Sequence, residues 1–218
     1  MGDKMLKPIE ELTFTDDFMF RRVMENQEIC KGLLERLLEI KIEKIEYPVF
    51  DKMIASCYKS NGIRLEVYVK GESKVLDVEI QNYNEKNPLQ NTRWFQSLMD
   101  YDFLLKGNYF TEFRESYVIV LCKEDPWGEN IPCYTFANHC MEDIGLVLKD
   151  KTHKIFYNAS SYKREENPEK RAILEYLVDK NSTSDFTKQL DNFVKQTKLN
   201  DIFRDNYISL EQEKSNAE

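Results

Sequence analysis

Two short stretches in the first half of the chain alternate strictly between apolar and polar residues. They are residues 63–69, which read Ile-Arg-Leu-Glu-Val-Tyr-Val, and residues 75–81, which read Val-Leu-Asp-Val-Glu-Ile-Gln. Because side chains along a strand point to opposite faces with period two, this alternation predicts two strands, each with one apolar and one polar face. The polar face would carry Glu66 on the first strand and Asp77 and Glu79 on the second. The pattern therefore predicts a hairpin that presents acidic groups on one side.

The surrounding pattern predicts helices and further strands. In chain order they are a helix from about residue 17 capped by Thr15 or Asp16, a helix over 28–39, a strand over 44–50, the hairpin, a helix from Pro88 to about Lys106 and a buried strand over 116–122. Short edge strands are predicted at 134–136 and 155–157. A short-loop hairpin must be antiparallel, whereas the helix before residue 116 permits the next strand to join in parallel. We expect a mixed β-sheet flanked by helices.

The pattern changes near residue 162. Residues 163–170 are charged and contain Pro168, which is typical of a linker or a helix cap, and two polar helices are predicted between 171 and about 210. We therefore expect one domain over residues 1–161 and a C-terminal helical extension over 162–218. Its apolar stripe packs either on the core, which we favour, or on a second copy in a homodimer; the stripe consists of Phe186, Leu190, Phe193, Leu199 and Phe203.

Composition supports a packed core and argues against one mode of nucleic-acid binding. Of the 218 residues, 41% are hydrophobic and 12% aromatic, and the net charge is −8. An acidic chain does not hold nucleic acid by bulk electrostatics, so a nucleic-acid role would need a local basic surface or bridging metal ions. A modest basic patch is conceivable on the first helices, although a solvated face is the favoured interpretation; its members are Arg21, Arg22, Lys31 and Arg36.

Cysteine spacing and the absence of long apolar runs indicate the compartment. The five cysteines are odd in number and form no C-x-x-C pair, which favours reduced thiols in a cytoplasmic protein. Cys133, His139 and Cys140 cluster, but their spacing fits no common zinc site. The N-terminus has no apolar signal core, and no apolar run approaches the roughly 20 residues of a membrane span. We expect no membrane association.

Missing motifs narrow the chemistry to carboxylates. With seven glycines the chain has no P-loop, no G-x-G-x-x-G and no G-x-S-x-G, and it has only two histidines, His139 and His153. Carboxylates with carbonyl oxygens favour magnesium or manganese. If Lys70 pairs with Val75, Glu66 lies opposite Glu79, and a divalent cation would offset their repulsion. The alternative is an exposed sheet face that carries acidic residues without a site.

The hairpin also resembles a known nuclease signature. Glu66 followed by Glu79-Ile80-Gln81 resembles the D…(D/E)-x-K motif of PD-(D/E)XK nucleases. The likeness is greatest to the PD-(D/E)XK nuclease family transposases, related to the recombination-promoting nucleases, which often have Gln where the superfamily has Lys. Further segments resemble that family in order along the chain; they are 15–21, 33–38, 42–47, 93–100, 106–109, 116–122, 125–128, 174–177 and 207–208.

The resemblance implies a restriction-endonuclease-like fold and Mg²⁺-dependent cleavage of DNA, with Mn²⁺ as a possible substitute, in recombination or mobile elements. Glu66 and Glu79 would coordinate the metal with the carbonyl oxygen of Ile80. Gln81 would orient the water or a phosphate oxygen, since an amide both donates and accepts hydrogen bonds. Arg93 would supply the positive charge that Gln81 lacks; the alternative for Arg93 is a surface or helix-packing role.

Other residues are open to two interpretations. Gln96 follows Arg93 on roughly the same helix face and is a further site candidate. Asp17 would either help to bind the metal or stabilise the N-terminus of its own helix through the helix dipole, and we prefer the second interpretation. Asp77 would be a ligand or point to solvent.

One departure from the family motif bears on catalysis. The family usually has Asp at the position of Glu66, and Glu places its carboxylate one methylene further from the backbone. The alternative function is therefore a catalytically impaired nuclease-fold protein that binds DNA or a protein partner.

Overall fold

The computed structural model describes residues 7–47, 62–69, 75–83 and 88–216. For residues 62–69, 75–83, 88 and 210–216 it describes the backbone alone. The described elements follow the predicted order closely. The part of the predicted first strand beyond residue 47, and the connection between the two hairpin strands, lie outside the described residues.

Two helices open the fold, α1 (Asp17–Met24) and α2 (Gln27–Leu38). Asn26 caps α2, because its side-chain oxygen accepts from the N–H groups of Glu28 and Ile29 at 3.1 Å. Asp16 stands at the N-cap position of α1, but its carboxylate accepts from the N–H of Thr13 at 2.7 Å and makes no capping bond. Both helices are confirmed, whereas a side-chain cap on α1 was wrong.

The described strands form one sheet. They are β1 (Ile42–Glu46), β2 (Gly62–Val69), β3 (Val75–Tyr83), β4 (Glu115–Cys122), β5 (Cys133–Phe136) and β6 (Thr152–Asn158), in the spatial order β1-β2-β3-β4-β6-β5. The β2–β3 hairpin is antiparallel, and β3 pairs with β4 in parallel after the helix α3 (Pro88–Leu105). Gly107, with φ of +84°, ends that helical segment as expected. The mixed α/β architecture with flanking helices is confirmed.

Two predicted details of the sheet and of the C-terminal helices are wrong. The strand expected at the edge over 155–157 is β6, which spans seven residues and lies between β4 and β5. The C-terminal segment contains three helices rather than two; they are α4 (Pro168–Asp179), α5 (Asp185–Lys198) and α6 (Asp201–Asn216). The break between α5 and α6 has a local cause, because the side chain of Asn200 accepts from the N–H of Phe203 at 2.9 Å.

Helices cover both faces of the sheet and create two core clusters. Ile119 and Leu121 of β4 belong to the larger cluster, which they share with the two opening helices and with α4 and α5. Val118 and Val120 point to the opposite face, where α3 contributes Phe95, Leu98 and Met99. Successive residues of β4 are therefore buried on opposite faces of the sheet, so that neither face of this strand meets solvent, as its uninterrupted apolar sequence predicts.

The C-terminal stripe packs mostly on the core of the same chain. Phe186, Leu190 and Phe203 are buried in the larger cluster, and Phe193 packs against it. Leu199 is 78% exposed, so the core-packing interpretation is wrong for this residue and confirmed for the three buried ones. Among the described helices, none has the length and apolar character needed to cross a membrane.

Candidate functional site

The hairpin register places Glu66 directly opposite Asp77 and Glu79 directly opposite Arg64. Val75 pairs with Tyr68 rather than with Lys70, so the predicted facing pair of Glu66 and Glu79 is wrong by two residues. A slip of one residue moves a strand's residues to the other face, and a slip of two restores them. The positions of Glu66, Asp77 and Glu79 therefore still share one face of the sheet.

The acidic row continues onto the neighbouring strands. Glu46 of β1 is the register partner of Glu66, and Ser116 of β4 is the partner of Asp77. We call the positions of Glu46, Glu66, Asp77 and Glu79 the acidic face. Like charges directly opposite one another destabilise a sheet. The repulsion predicted for Glu66 with Glu79 therefore falls on Glu66 with Asp77 and Glu46.

The negative charge of Glu46 is paired with Lys44 of the same strand, because Lys44 Nζ lies 2.6 Å from Glu46 Oε1. Both side chains are about half exposed, so this ion pair is worth little in free energy. Next to it in the register, the positions of Glu66 and Asp77 face each other.

The partners on β4 identify the side of the sheet. Glu79 pairs with Val118 and Gln81 pairs with Val120, and both valines are buried beneath α3. Ile80 pairs with Ile119 and therefore takes its position on the opposite face. The acidic face and α3 thus lie on the same side, with α3 packed over β4 and the acidic positions on the adjacent strands.

Helix α3 brings one predicted site residue, Gln96, next to the acidic face. The Gln96 side chain is 8% exposed, and its Nε2 donates to Ser116 Oγ at 2.9 Å and to Asp100 Oδ1 at 3.0 Å. Ser116 is in turn the register partner of Asp77. Arg93 lies three residues earlier on α3 and is exposed. Its backbone carbonyl oxygen accepts a hydrogen bond from Ser97 Oγ. The helix therefore directs Gln96 to the sheet and Arg93 to solvent.

Residues of α1 and α2 belong to the opposite layer. Helix α1, which carries Asp17, packs in the larger cluster on the face away from the acidic row. The basic groups there make local contacts: Arg22 pairs with Glu25 at 3.0 Å and Arg36 with Glu169 at 2.7 Å. These contacts favour the interpretation of the basic residues as a solvated face.

The cysteine and histidine cluster shows no metal geometry. His139 Nδ1 lies 2.7 Å from the carbonyl oxygen of Ile144, and Cys140 Sγ donates to Glu142. No three His, Cys, Asp or Glu side chains in the described part of the chain are grouped to hold a metal. Glu66, Asp77 and Glu79 are described by their backbone alone, so their side chains are not among these.

Sequence reasoning missed three positions that the register brings into the site. Arg64 faces Glu79, Glu46 joins the row of Glu66, and Ser116 connects the row to Gln96. Arg64 stands two residues before Glu66, so the period of a strand is the signal that would have placed it on the same face. The facing partners depend on register and on strand order, which alternation alone does not specify.

Comparisons with models of known protein families, with curated proteins and with solved structures find no significant match to this chain.

Proposed function

We propose that the protein is a Mg²⁺-dependent DNA endonuclease with a restriction-endonuclease-like fold. It would act in the cytoplasm, in DNA recombination or in the transfer of mobile elements. The observation that supports this function is the register of the hairpin, in which Glu66, Asp77 and Glu79 occupy one face of two adjacent strands. Rigid strands are suitable supports for a metal site because they hold their ligands at fixed spacing.

The residue types on the acidic face fit a magnesium ion. Mg²⁺ prefers oxygen ligands and is commonly held by one or two carboxylates together with substrate phosphates. Glu66 and Glu79 would hold the ion with the carbonyl oxygen of Ile80. A cation bound there would also offset the repulsion between Glu66 and Asp77, which favours its binding. When bound, the ion would activate a water and stabilise charge on the scissile phosphate.

The remaining roles fall to polar and cationic residues nearby. Gln81, two residues after Glu79 and hence on the same face, would orient the attacking water or a phosphate oxygen. The exposed Arg93 would attract the DNA phosphate. Arg64 is a further cationic position on this face, because it is the register partner of Glu79. A homodimer would suit cleavage of both DNA strands.

A second candidate is a catalytically impaired nuclease-fold protein that binds DNA or a protein partner. The longer side chain of Glu66 supports it, since a displacement near 1 Å at a reacting centre costs about 100-fold in rate. The outer surface of α3 also supports it, because Trp94 is 49% and Tyr101 46% exposed. Exposed aromatic side chains are frequent in binding surfaces.

Nicking of supercoiled plasmid with Mg²⁺ or Mn²⁺ tests the proposal. The wild type should nick the plasmid, and Glu79→Ala should abolish nicking while leaving the thermal unfolding transition intact. Glu166→Ala removes an exposed carboxylate before α4 and is the matched control, which should nick at the wild-type rate. Nicking that persists in Glu79→Ala would contradict the site. A wild type that neither cleaves DNA nor binds metal in calorimetry would favour the second candidate.

A further inference from the structure

The connection between β5 and β6 forms a short hairpin of its own, which we call the arm (residues 137–151). It begins at β5, an edge strand of the sheet. Every residue from 141 to 151 is exposed, so this part of the arm packs on little of the rest of the chain. The acidic face lies toward the other edge of the sheet, on β1, β2 and β3.

Hydrogen bonds within the arm fix its shape. The N–H of Cys140 donates to the carbonyl of Leu146 at 2.9 Å, and the N–H of Leu148 donates to the carbonyl of Asn138 at 2.8 Å. At the base of the arm, Asn138 Nδ2 donates to Asp150 Oδ2 at 2.6 Å. The arm is therefore organised by its own polar groups and does not depend on packing against the core.

The arm exposes an unusual amount of apolar surface. Met141, Ile144, Leu146 and Leu148 are between 58% and 90% exposed. Single exposed apolar residues are ordinary on a protein surface, but a contiguous apolar patch marks an interaction site. Four such side chains within residues 141–148 form a patch of this kind.

The outer edge of the arm is open to another strand. His139 and Val147 face each other as an antiparallel pair, and the two backbone bonds of the arm flank this pair. Facing residues of this kind exchange no hydrogen bond with each other, so the N–H and carbonyl of Val147 point outward. In the described part of the chain, no hydrogen bond uses either group. Such groups at an edge are a template for pairing with another chain.

The two ends of the arm carry opposite charge. The tip carries Glu142 and Asp143, whereas the base carries Lys149 and Lys151 together with Asp150. The tip is therefore negative, and the base is positive on balance. A second arm that runs in the opposite direction would bring its negative tip to the positive base of the first.

We propose that the arm pairs with the arm of a second copy of this chain, antiparallel about a two-fold axis at Val147, and so forms a homodimer. Val147 exchanges two backbone hydrogen bonds with Val147 of the second copy. Leu146 then lies opposite Leu148 of the second copy, so that exposed leucines cover each other. A two-fold interface needs a surface that is complementary to itself.

The reversal of the arm about Val147 is what favours a second copy over an unrelated strand. Leucines flank Val147 on both sides, and the charges at the two ends have opposite sign. An unrelated strand would use the open edge but would match this symmetry only by chance. The proposal uses no residue of the acidic face, so it stands apart from the proposed nuclease activity.

Sedimentation velocity of the full chain measures the dimer directly. The samples contain a reductant, because Cys140 lies in the arm, and a chelator, and they contain no DNA. Because a small interface associates weakly, the concentration series extends to about 100 µM. We expect the mass to rise from that of one chain to that of two. A single-chain mass across the whole series would overturn the proposal.

Substitutions of exposed leucines locate the interface. Leu148→Glu should weaken dimerisation by about tenfold or more, because it places a charge against the apolar Leu146 of the second copy. Leu199→Glu makes the same change at an exposed leucine between α5 and α6 and should dimerise like the wild type. Neither change removes core packing. A loss in Leu199→Glu with none in Leu148→Glu would place the interface on the C-terminal helices and overturn the proposal.

Val147→Pro tests the backbone pairing. Proline removes the N–H that the dimer uses, and no bond within the arm uses that group. Val147→Ala keeps the N–H and is the control. Val147→Pro should weaken dimerisation about as much as Leu148→Glu, whereas Val147→Ala should retain most of it. Equal dimerisation of the two variants would contradict strand pairing.

A cysteine at the two-fold axis gives a positive test. In a Cys140→Ser background, Val147→Cys should form a disulfide-linked dimer on mild oxidation. Hydrogen-bonded partners in an antiparallel pair have Cα atoms about 5.5 Å apart, within the range of a disulfide. Met141→Cys in the same background is the control, because Met141 is more exposed than Val147 but lies at the tip, away from the axis. More linked dimer from Met141→Cys than from Val147→Cys would overturn the proposed axis.

Discussion

Glu66 lies directly opposite Asp77 in the antiparallel β2–β3 pair, so two acidic positions face each other at the centre of the sheet's acidic face. Such a pair is unfavourable by itself. The proposed cation, once bound there, would make the same pair a source of stability, because ligand binding to the folded state alone stabilises that state. The electrostatics of this pair therefore connects the stability of the protein with its proposed metal.

The facing pair predicts opposite effects of one substitution with and without metal. Asp77→Asn should raise the free energy of unfolding by about 0.2–1 kcal/mol in a chelator, because it removes a cross-strand repulsion. Mg²⁺ should then stabilise the wild type more than the variant in urea unfolding. Asp205→Asn, at an exposed position on α6, is the control and should show neither effect. Equal stabilisation of wild type and Asp77→Asn by Mg²⁺ would exclude Asp77 from the metal site.

Shortening Glu66 should increase cleavage. Glu66→Asp restores the carboxylate of the resembled family, and the plasmid-nicking rate should rise by up to about 100-fold if the extra methylene displaces the metal by about 1 Å. Glu166→Asp makes the same change at an exposed position before α4, outside the acidic face, and should leave the rate unchanged. A lower rate in Glu66→Asp would show that the site is built for the longer side chain.

The buried contact of Gln96 with Ser116 should matter for stability. Gln96→Leu removes hydrogen bonds to Ser116 and Asp100 and should lower the free energy of unfolding by about 1–3 kcal/mol. Ser116→Ala should cost less, because Ser116 Oγ is only one of the two partners. The double variant should cost less than the two single losses added together, since both remove the same bond. Additive losses in urea unfolding would contradict this coupling.

The C-terminal helices should unfold together with the first two helices. Leu190→Ala removes a fully buried side chain from the shared core and should cost about 2–5 kcal/mol in one cooperative transition. Leu199→Ala, at a residue that is 78% exposed, should change stability by no more than about 0.5 kcal/mol. Two separate transitions in calorimetry, with only one shifted by Leu190→Ala, would instead support an independent extension over residues 162–218.

Asp16 should make stability depend on acid pH. Burial by itself would raise the pKa of Asp16, but hydrogen bonds from Lys7 and Thr13 outweigh burial and lower it below the ordinary value of 3.8. Because the folded-state pKa is lower, the ionised group contributes stability above pH 3.8, and that contribution is lost as the pH falls through the folded-state value.

Urea unfolding across this pH range measures that contribution. Asp16→Asn should be less stable than the wild type near neutral pH, and the difference should shrink as the pH falls below 3.8. Glu11→Gln, which changes another, exposed carboxyl of the same segment, is the control and should show no such convergence. A constant difference between Asp16→Asn and the wild type at every pH would contradict the role of the charge.

The sequence by itself determined the elements that depend on local pattern. Alternation predicted the hairpin strands, helical spacing predicted α2 and α3, and a continuous apolar run predicted β4. These predictions succeeded because periodicity and end residues such as Pro88 and Gly107 act over one or two turns of chain. Alternation also determined that Glu66, Asp77 and Glu79 share a face, since that follows from the geometry of a strand.

Tertiary structure alone decided which residues meet. A two-residue shift of register leaves every face unchanged, so alternation cannot distinguish Asp77 from Glu79 as the partner of Glu66. The interior position of β6 depends on strand order, which no local pattern encodes. Gln96 and Ser116 lie on different elements, and only the packing of α3 on β4 brings their side chains into contact. Contacts between distant segments arise from packing and burial, which are properties of the whole fold.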